Sequence, residues 1–126
     1  MKSKELKDLI VELIKEKKGE NIVVLDLRKV TSITDYFVIC TGTVDQHIKA
    51  IKDNLIQKLE EKGIKPWHIE GEQALSWILV DYVDVVVHIF LPSTRDFYKL
   101  EKLWGDAKLE KIKTDYEIVQ EETESK

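Results

Sequence analysis

The chain has 126 residues, of which 43% are hydrophobic and 35% charged, with only five glycines and two prolines. This balance excludes a disordered or fibrous chain and predicts one compact domain that buries its own core. The formal net charge of −4 argues against direct, unaided nucleic-acid binding, because clustered cations supply most of the affinity for a phosphate backbone.

Cysteine usage and apolar runs indicate where the chain resides. Cys40 is the only cysteine, so no intrachain disulfide can form, which is typical of a reducing compartment. The first residues carry charges in every helical turn and lack the apolar segment and cleavage site of an export signal. No apolar run elsewhere approaches the roughly 20 residues of a membrane-spanning helix. We therefore expect a cytoplasmic protein without membrane contact.

The N-terminal part of the chain contains a predicted helix followed by two predicted strands. Apolar residues recur at helical spacing among charged ones, which predicts an amphipathic helix over about residues 4–18. A β-branched run over residues 22–27 and an apolar run over residues 36–41 have the length and composition of strands. The apolar face of the helix therefore has a sheet to cover.

A second helix and an interrupted segment follow. Isoleucine and leucine residues mark one face of a helix over about residues 45–62, and Gly63 stands where a left-handed C-terminal cap is expected. Residues 64–70 contain Pro66, which removes a backbone donor. This segment is therefore predicted to be an edge strand or a loop.

Two further strand-like runs predict a hairpin. They cover residues 77–81 and 84–90 and are joined at Tyr82 and Val83, a spacing that suits a tight turn. The second run is nearly all β-branched, which predicts a central strand with both faces covered.

The last predicted helix begins after Pro92. Ser93 and Asp96 have the spacing of a carboxylate variant of the capping box. The apolar residues predicted on one face of this helix are Phe97, Leu100, Trp104 and Ala107.

We expect the domain to occupy residues 1–116, and the acidic, aperiodic residues 117–126 to form a flexible tail.

The predicted element order is α-β-β-α-β-β-β-α, in which the third strand is the segment that could instead be a loop. Hairpin strands and crossover helices both occur in this order, so it predicts an α/β (α+β) fold. Its core is expected to be a mixed sheet of about five strands with helices packed on it.

The turn at Gly42 and Thr43 joins a strand to a helix, an arrangement that can hold an anion. No Lys-Ser/Thr pair follows the glycine and no G-x-G-x-x-G motif occurs, so a phosphate-loop or dinucleotide site is not expected. A similar turn opens the nucleotidyltransferase fold, whose chemistry needs two nearby strand carboxylates to hold Mg²⁺. Asp45 lies on the helix instead, and Gly42 is interpreted as a residue that turns the chain.

Histidine and cysteine do not predict a metal site or a nucleophile. His68 and Glu70 match the first half of a zinc deaminase motif, but the P-C-x-x-C half is absent. His47, His68 and His88 lie on different elements, so no zinc site is predicted. We interpret His88 as a hydrogen-bonded histidine in a half-buried strand position, and Cys40 as a core residue.

Acidic and aromatic residues are concentrated between Trp67 and Tyr98. Carboxylates fall at or beside the predicted strand ends, with Trp77 and Tyr82 between them. Tryptophan, tyrosine and arginine often anchor protein interfaces, and flanking carboxylates favour a basic partner. Composition alone leaves two interpretations open: a docking surface, or a core tryptophan beside a solvated acidic rim.

Two blocks of the sequence resemble the signatures of the ribosomal silencing factor (Iojap/RsfS) family. TDYFVICTG at residues 34–42 is similar to the first signature. EG at residues 70–71, followed by WILVDYVDVVVHIF at residues 77–90, is similar to the second. The likeness covers about residues 6–107 and also includes Gln46, Ala50, Ile51, Arg95, Tyr98, Leu100, Glu101, Leu103 and Trp104.

The resemblance implies a domain similar to the nucleotidyltransferase fold but without its metal-binding acids. It implies a homodimer that binds a protein on the inter-subunit face of the large ribosomal subunit, blocks joining of the small subunit and so represses translation under nutrient limitation. No catalytic residue, cofactor or metal is implied. The residues that it implies face the partner are Glu70, Gly71, Trp77, Asp81, Tyr82, Asp84, His88, Arg95 and Tyr98.

The sequence departs from the family pattern at two turns. Val83 occupies a hairpin position that is commonly glycine, so a different turn geometry is expected. Val44 stands where serine is common, which leaves Thr43 or Asp45 to cap the second helix.

We therefore expect a non-enzymatic translation repressor that acts by steric occlusion. An acidic chain suits a basic ribosomal protein as partner, because opposite potentials speed encounter. Two alternatives stay open: a cryptic nucleotide-handling enzyme that uses the turn at Gly42 and Thr43, and an assembly factor for the large subunit.

Overall fold

The computed structural model of the chain describes residues 1–117. In this range the element order is α-β-β-α-β-β-β-α-α-β. The helices are α1 (Ser3–Glu16), α2 (Asp45–Glu61), α3 (Pro92–Tyr98) and α4 (Leu100–Leu103). The strands are β1 (Glu20–Asp26), β2 (Tyr36–Thr41), β3 (His68–Glu70), β4 (Trp77–Asp81), β5 (Val85–Phe90) and β6 (Lys108–Lys111).

The strands form one mixed sheet in the order β3-β4-β5-β2-β1-β6. β2 and β5 run parallel and are connected in the chain through α2, β3 and β4. The remaining neighbours pair antiparallel. The predicted α/β (α+β) class with a mixed sheet is confirmed. All six residues of β5 are buried, as predicted for a central strand.

One face of the sheet carries α1 and α2, and we call it the helix face. Val38 of β2 and Val87 of β5 point to this face and pack with fully buried Ile10 of α1 and Leu55 of α2. At roughly 25 cal/mol per Å² of apolar surface removed from water, this layer is the main source of the fold's stability.

The other face is covered only in part, by α3, α4 and the segment that follows them. Leu100 of α4 packs there with Leu25, Ile39 and Phe90 from three neighbouring strands. This smaller cluster lies over β1, β2 and β5. The side chains of β3 and β4 on the same face stay outside it, apart from Trp77.

The interrupted segment around Pro66 forms a short edge strand. β3 has three residues and pairs only with β4 among the described strands.

The C-terminal cap of α2 predicted at Gly63 is confirmed. Gly63 has φ +78°, and Ile64 donates its N–H to the carbonyl of Leu59, as in a Schellman motif.

The prediction of one continuous C-terminal helix was wrong. Lys99 adopts a left-handed conformation with φ +48° and separates α3 from α4. The break turns Phe97 outward, where it is 78% exposed, while Leu100 is buried. The predicted capping box is also absent: Leu91 is the N-cap, Pro92 follows it, and no side chain caps the helix.

The sixth strand was not predicted. β6 has the sequence KLEK with every residue exposed, so it carries no apolar pattern that would predict a strand. It pairs with β1 at the sheet edge, where charged side chains discourage pairing with other molecules.

The predicted tail lies almost wholly outside the described residues, except for Glu117. Its carboxylate accepts hydrogen bonds from the Asn21 N–H and the Thr114 hydroxyl. The start of the predicted tail is therefore bonded to the domain.

One of the two residues expected to cap the start of α2 bonds a free helix donor. Val44 is the N-cap residue, and its side chain forms no cap hydrogen bond. The carboxylate of Asp45, the first residue of the helix, accepts the N–H of Gln46 at 2.8 Å. His47 reaches back to the preceding turn, and its Nδ1 accepts the N–H of Thr43 at 2.9 Å. Asp45 therefore bonds a free donor of the first turn although it is not the N-cap residue.

The β4–β5 turn holds a β-branched residue in an unfavourable conformation. Val83 has φ +74°, and Asp84 donates its N–H to the Tyr82 carbonyl across it. This three-residue turn is rare and strained. Asp81 supports it, because its carboxylate accepts the Val83 N–H at 2.7 Å.

Replacing Val83 with glycine should stabilise the protein. Glycine adopts positive φ freely, and relief of the strain outweighs the added freedom of the unfolded chain by about 1 kcal/mol. Urea unfolding at equilibrium measures the change. Val85→Gly, in the adjacent buried strand, is the control and should destabilise; a loss of stability in both variants would contradict the strained turn.

Candidate partner-binding surface

The partly covered face of the sheet presents a strip of side chains along β3 and β4. Side chains alternate between faces along a strand, so Trp77, Leu79 and Asp81 share this face. His68 and Glu70 of β3 pair with Asp81 and Leu79 and lie beside them. We call these five residues, together with Tyr98 of α3, the open strip.

Trp77 lies at the boundary between the open strip and the smaller apolar cluster. Its ring stacks on Phe90 with centroids 4.8 Å apart and packs against Tyr98 at 4.9 Å. The indole stays partly exposed, and Tyr98 is 48% exposed. Trp77 is therefore both packed and accessible. Its environment has features of both earlier interpretations, a core tryptophan and a residue of a docking surface.

His88 does not reach the surface. It is 3% exposed, and its Nδ1 accepts the indole N–H of Trp77 at 3.1 Å. The ring of Phe37 packs edge-on against the imidazole at 4.6 Å. The predicted half-buried position is in fact a buried one, so any contribution of His88 to binding goes through Trp77.

Carboxylates lie on both strands of the open strip, β3 and β4. Glu70 is exposed, and its Oε1 lies 2.9 Å from Nε2 of His68. Asp81 is partly exposed and uses one oxygen in the β4–β5 turn. Asp84 is exposed in the same turn. The acids lie beside the aromatic residues and give this part of the sheet a negative rim.

Three of the residues implied by the family resemblance lie elsewhere. Tyr82 is buried with the helix-face core, and burial raises the pKa of its hydroxyl. Arg95 donates to the carbonyl of Asn21 and the hydroxyl of Thr41, in an open cleft of about 730 Å³. Gly71 has φ +86°, and a Cβ there would overlap the Trp77 carbonyl.

Tyr82 therefore lies in the core behind the strip, and Gly71 lets the chain after β3 pass close to the backbone of Trp77. Arg95 bonds Asn21 near the start of β1 and Thr41 at the end of β2, which ties α3 to the sheet. The structure brings together Glu70, Trp77, Asp81 and Tyr98 on one face, with Asp84 at its end.

The sequence reading missed Leu79, His68 and Phe97 as surface candidates. The signal for Leu79 was the period of two in WILVD, which places it between Trp77 and Asp81. No local signal marked Phe97, because its exposure depends on the break at Lys99.

The turn at Gly42 and Thr43 has its backbone donors in use. The Gly42 N–H bonds the Phe90 carbonyl, and the Thr43 N–H bonds His47. Gly42 does not have positive φ; a Cβ there would come within 2.9 Å of Ile48, so close packing requires the glycine. Within residues 1–117, no group of three potential metal ligands occurs.

Comparison with known proteins identifies the family. The family model described as ribosomal silencing factor during starvation matches residues 1–126. The chain belongs to the ribosomal silencing factor family. The resemblance read from the sequence blocks is thereby confirmed.

Individual members of the ribosomal silencing factor family align over most of the chain. It is 40% identical over 107 residues to the ribosomal silencing factor RsfS of Halalkalibacterium halodurans, an alignment that covers 85% of this chain and 92% of that protein. A crystal structure of a Chromobacterium violaceum protein superposes with a TM-score of 0.81 and 38% identity, over 83% of this chain and 88% of that one.

A mouse relative carries a different name. The chain is 36% identical over 100 residues to the Mus musculus protein named mitochondrial assembly of ribosomal large subunit protein 1. The alignment covers 77% of this chain and 44% of the mouse protein.

Among the described helices, none is long and apolar enough to cross a bilayer.

The buried histidine predicts a specific loss of stability in acid. Desolvation lowers the pKa of His88 to about 3, whereas an unfolded histidine titrates near about 6.5. Between these values the unfolded chain binds a proton that the folded chain excludes. Stability is therefore complete above about pH 6.5 and falls as the pH drops towards about 3.

Urea unfolding of the wild type and of His88→Phe between about pH 7 and pH 4.5 tests this titration. The wild type should lose stability more steeply as the pH falls, because the variant lacks the titrating group. Carboxylates titrate in both proteins, so their effect cancels in the difference. Parallel curves would show that His88 is not a buried neutral histidine.

Proposed function

We propose that this chain represses translation by binding the large ribosomal subunit through the open strip and obstructing the small subunit. The observation that carries the proposal is the partly exposed Trp77, packed between Phe90 and Tyr98 and flanked by Glu70 and Asp81 on the partly covered sheet face. No bond is made or broken in this mechanism, since affinity and position produce the effect.

The composition of the open strip supports a protein partner. Trp77 and Tyr98 belong to the residue types that contribute most to protein interfaces. Both rings are already held by neighbours, so binding orders little additional side-chain freedom. Such pre-organised aromatic residues make effective anchors.

The charge of the chain supports a basic partner. The net charge is −4, and the carboxylates of Glu70, Asp81 and Asp84 lie on or beside the strip. A basic ribosomal protein at the inter-subunit face would meet this surface with opposite potential, which speeds encounter and makes binding sensitive to salt.

Family membership supports the ribosome as the target, and the name of the mouse relative points to the large subunit. The proposal includes a cytoplasmic location, where the ribosomes are, and a homodimer away from the ribosome. It assigns no cofactor and no catalysis.

Replacing the anchor should weaken binding to the large subunit. Trp77→Ala removes the central aromatic side chain and should cost more than about 2 kcal/mol, or about 30-fold in affinity. Asp81→Lys reverses a charge on the same strip and should also weaken binding. Co-sedimentation with purified large subunits measures both effects.

The control for the charge reversal is Glu61→Lys. Glu61 is an exposed acid at the end of α2, on the opposite face of the sheet, and this variant has the same net charge as Asp81→Lys. Thermal unfolding confirms that each variant is folded. Equal sedimentation of the wild type and both strip variants would remove the open strip as the binding surface.

Occlusion predicts competition between the protein and the small subunit. Added protein should lower the fraction of associated ribosomes in light-scattering measurements, with half-effect near its affinity for the large subunit. Trp77→Ala should need a correspondingly higher concentration. A protein that binds large subunits yet leaves association unchanged would contradict occlusion.

The name of the mouse relative favours a second candidate function, assembly of the large subunit. Sucrose-gradient profiles of a deletion strain separate the two functions. Accumulation of large-subunit precursors would support an assembly factor, whereas normal subunits with excess translation during starvation would support repression.

A further inference from the structure

The Nε1 edge of the Trp77 indole faces the protein and forms one hydrogen bond there. Contacts with Phe90 and Tyr98 set the plane of the ring. Rotation by 180° about χ2 would preserve that plane and exchange the Nε1 edge for the opposite, apolar edge, because rotation at this bond is close to two-fold. The bond from Nε1 to Nδ1 of His88, at 3.1 Å, is formed in one of these two orientations only.

The same bond requires one protonation state of His88. Nδ1 accepts, so the neutral imidazole must carry its proton on Nε2. Burial keeps the ring neutral near pH 7, since desolvation opposes the charged form. The rings of Phe37, Trp77 and Phe90 are the aromatic groups packed around it. Nδ1 is therefore a constant acceptor at physiological pH.

Packing alone does not explain a histidine at this position. Nε2 is buried and has no hydrogen-bond partner among the described residues, and an unpaired buried donor is unfavourable. Its neighbours on this face of the strand, Val86 and Phe90, are both apolar. Phenylalanine would fill the space without an unpaired Nε2, but it would offer no acceptor to the indole N–H of Trp77. What histidine adds over phenylalanine is this acceptor.

We propose that His88 is a positioning residue of the ribosome-binding surface, which selects the exposed edge of Trp77 by accepting its indole N–H. This inference rests on the proposed function, because it assigns the oriented indole as the group that meets the ribosomal partner. His88 itself touches no partner. Its effect is to keep the anchor in one orientation before binding, so that binding does not have to select it.

Two substitutions separate the acceptor from the packing. His88→Phe keeps a planar ring and removes the acceptor. His88→Asn keeps an acceptor, because Oδ1 of asparagine is as many bonds from Cβ as Nδ1 of histidine.

The first readout is hydrogen exchange of the Trp77 indole N–H in ¹⁵N-resolved NMR spectra, in which the Trp77→Phe variant identifies the Trp77 signal. Exchange should be about tenfold faster in His88→Phe and slow again in His88→Asn.

Binding to purified large subunits is the second readout. His88→Phe should bind about three- to tenfold more weakly than the wild type, within the range of one hydrogen bond, although its thermal stability is equal or higher. His88→Asn should recover most of the affinity. In a Trp77→Phe background, which lacks the indole N–H, His88→Phe should cause no further loss.

The outcomes distinguish this inference from the proposed function. Wild-type protein that does not bind large subunits overturns the proposed function and this inference together. Normal binding of the wild type, weak binding of Trp77→Ala and unchanged binding of His88→Phe overturn this inference alone. Equal losses in His88→Phe and His88→Asn would also overturn it, because the acceptor would then not matter.

Discussion

The register between β4 and β5 fixes which side chains form the candidate surface. Trp77 pairs with Phe90 and Asp81 pairs with Val86, which places the aromatic and acidic side chains of β4 on one face. A slip of one residue would move Ile78 and Val80 to that face and bury Trp77 under the helices. Burial of Ile78 and Val80 beneath α1 and α2 therefore keeps Trp77 and Asp81 on the other face of the sheet.

The unequal cover of the two sheet faces follows from the lengths of the helices. α1 and α2 have 14 and 17 residues and cover one face, while α3 and α4 have seven and four. The short pair packs over β1, β2 and β5 and ends before it reaches β3. A sheet face left open in this way is a place where a partner can complete the packing. The main apolar core and the proposed binding surface thus lie on opposite faces of the same strands.

Much of the fold followed from periodicity and composition, while the errors occurred where long-range contacts decide. Both long helices, the hairpin and the buried central strand were predicted because their patterns are strong and local. β6 was missed because an exposed, charged edge strand has no apolar period, and its pairing with β1 exists only in the folded chain. The C-terminal helix was predicted as one piece because its spacing is regular, whereas Lys99 breaks it so that Leu100 meets the sheet.

Residue patterns alone were enough to predict the fold class, the family and the group of residues from which the candidate surface is drawn. Folding settles which of these residues lie together: Trp77, Asp81 and Tyr98 do, Tyr82 and His88 are buried, and Arg95 lies in a separate cleft. Patterns suffice for the first part because strand period and apolar spacing are local properties of the chain. Burial and hydrogen bonding between Trp77 and His88 depend on strand pairing, which brings distant segments together.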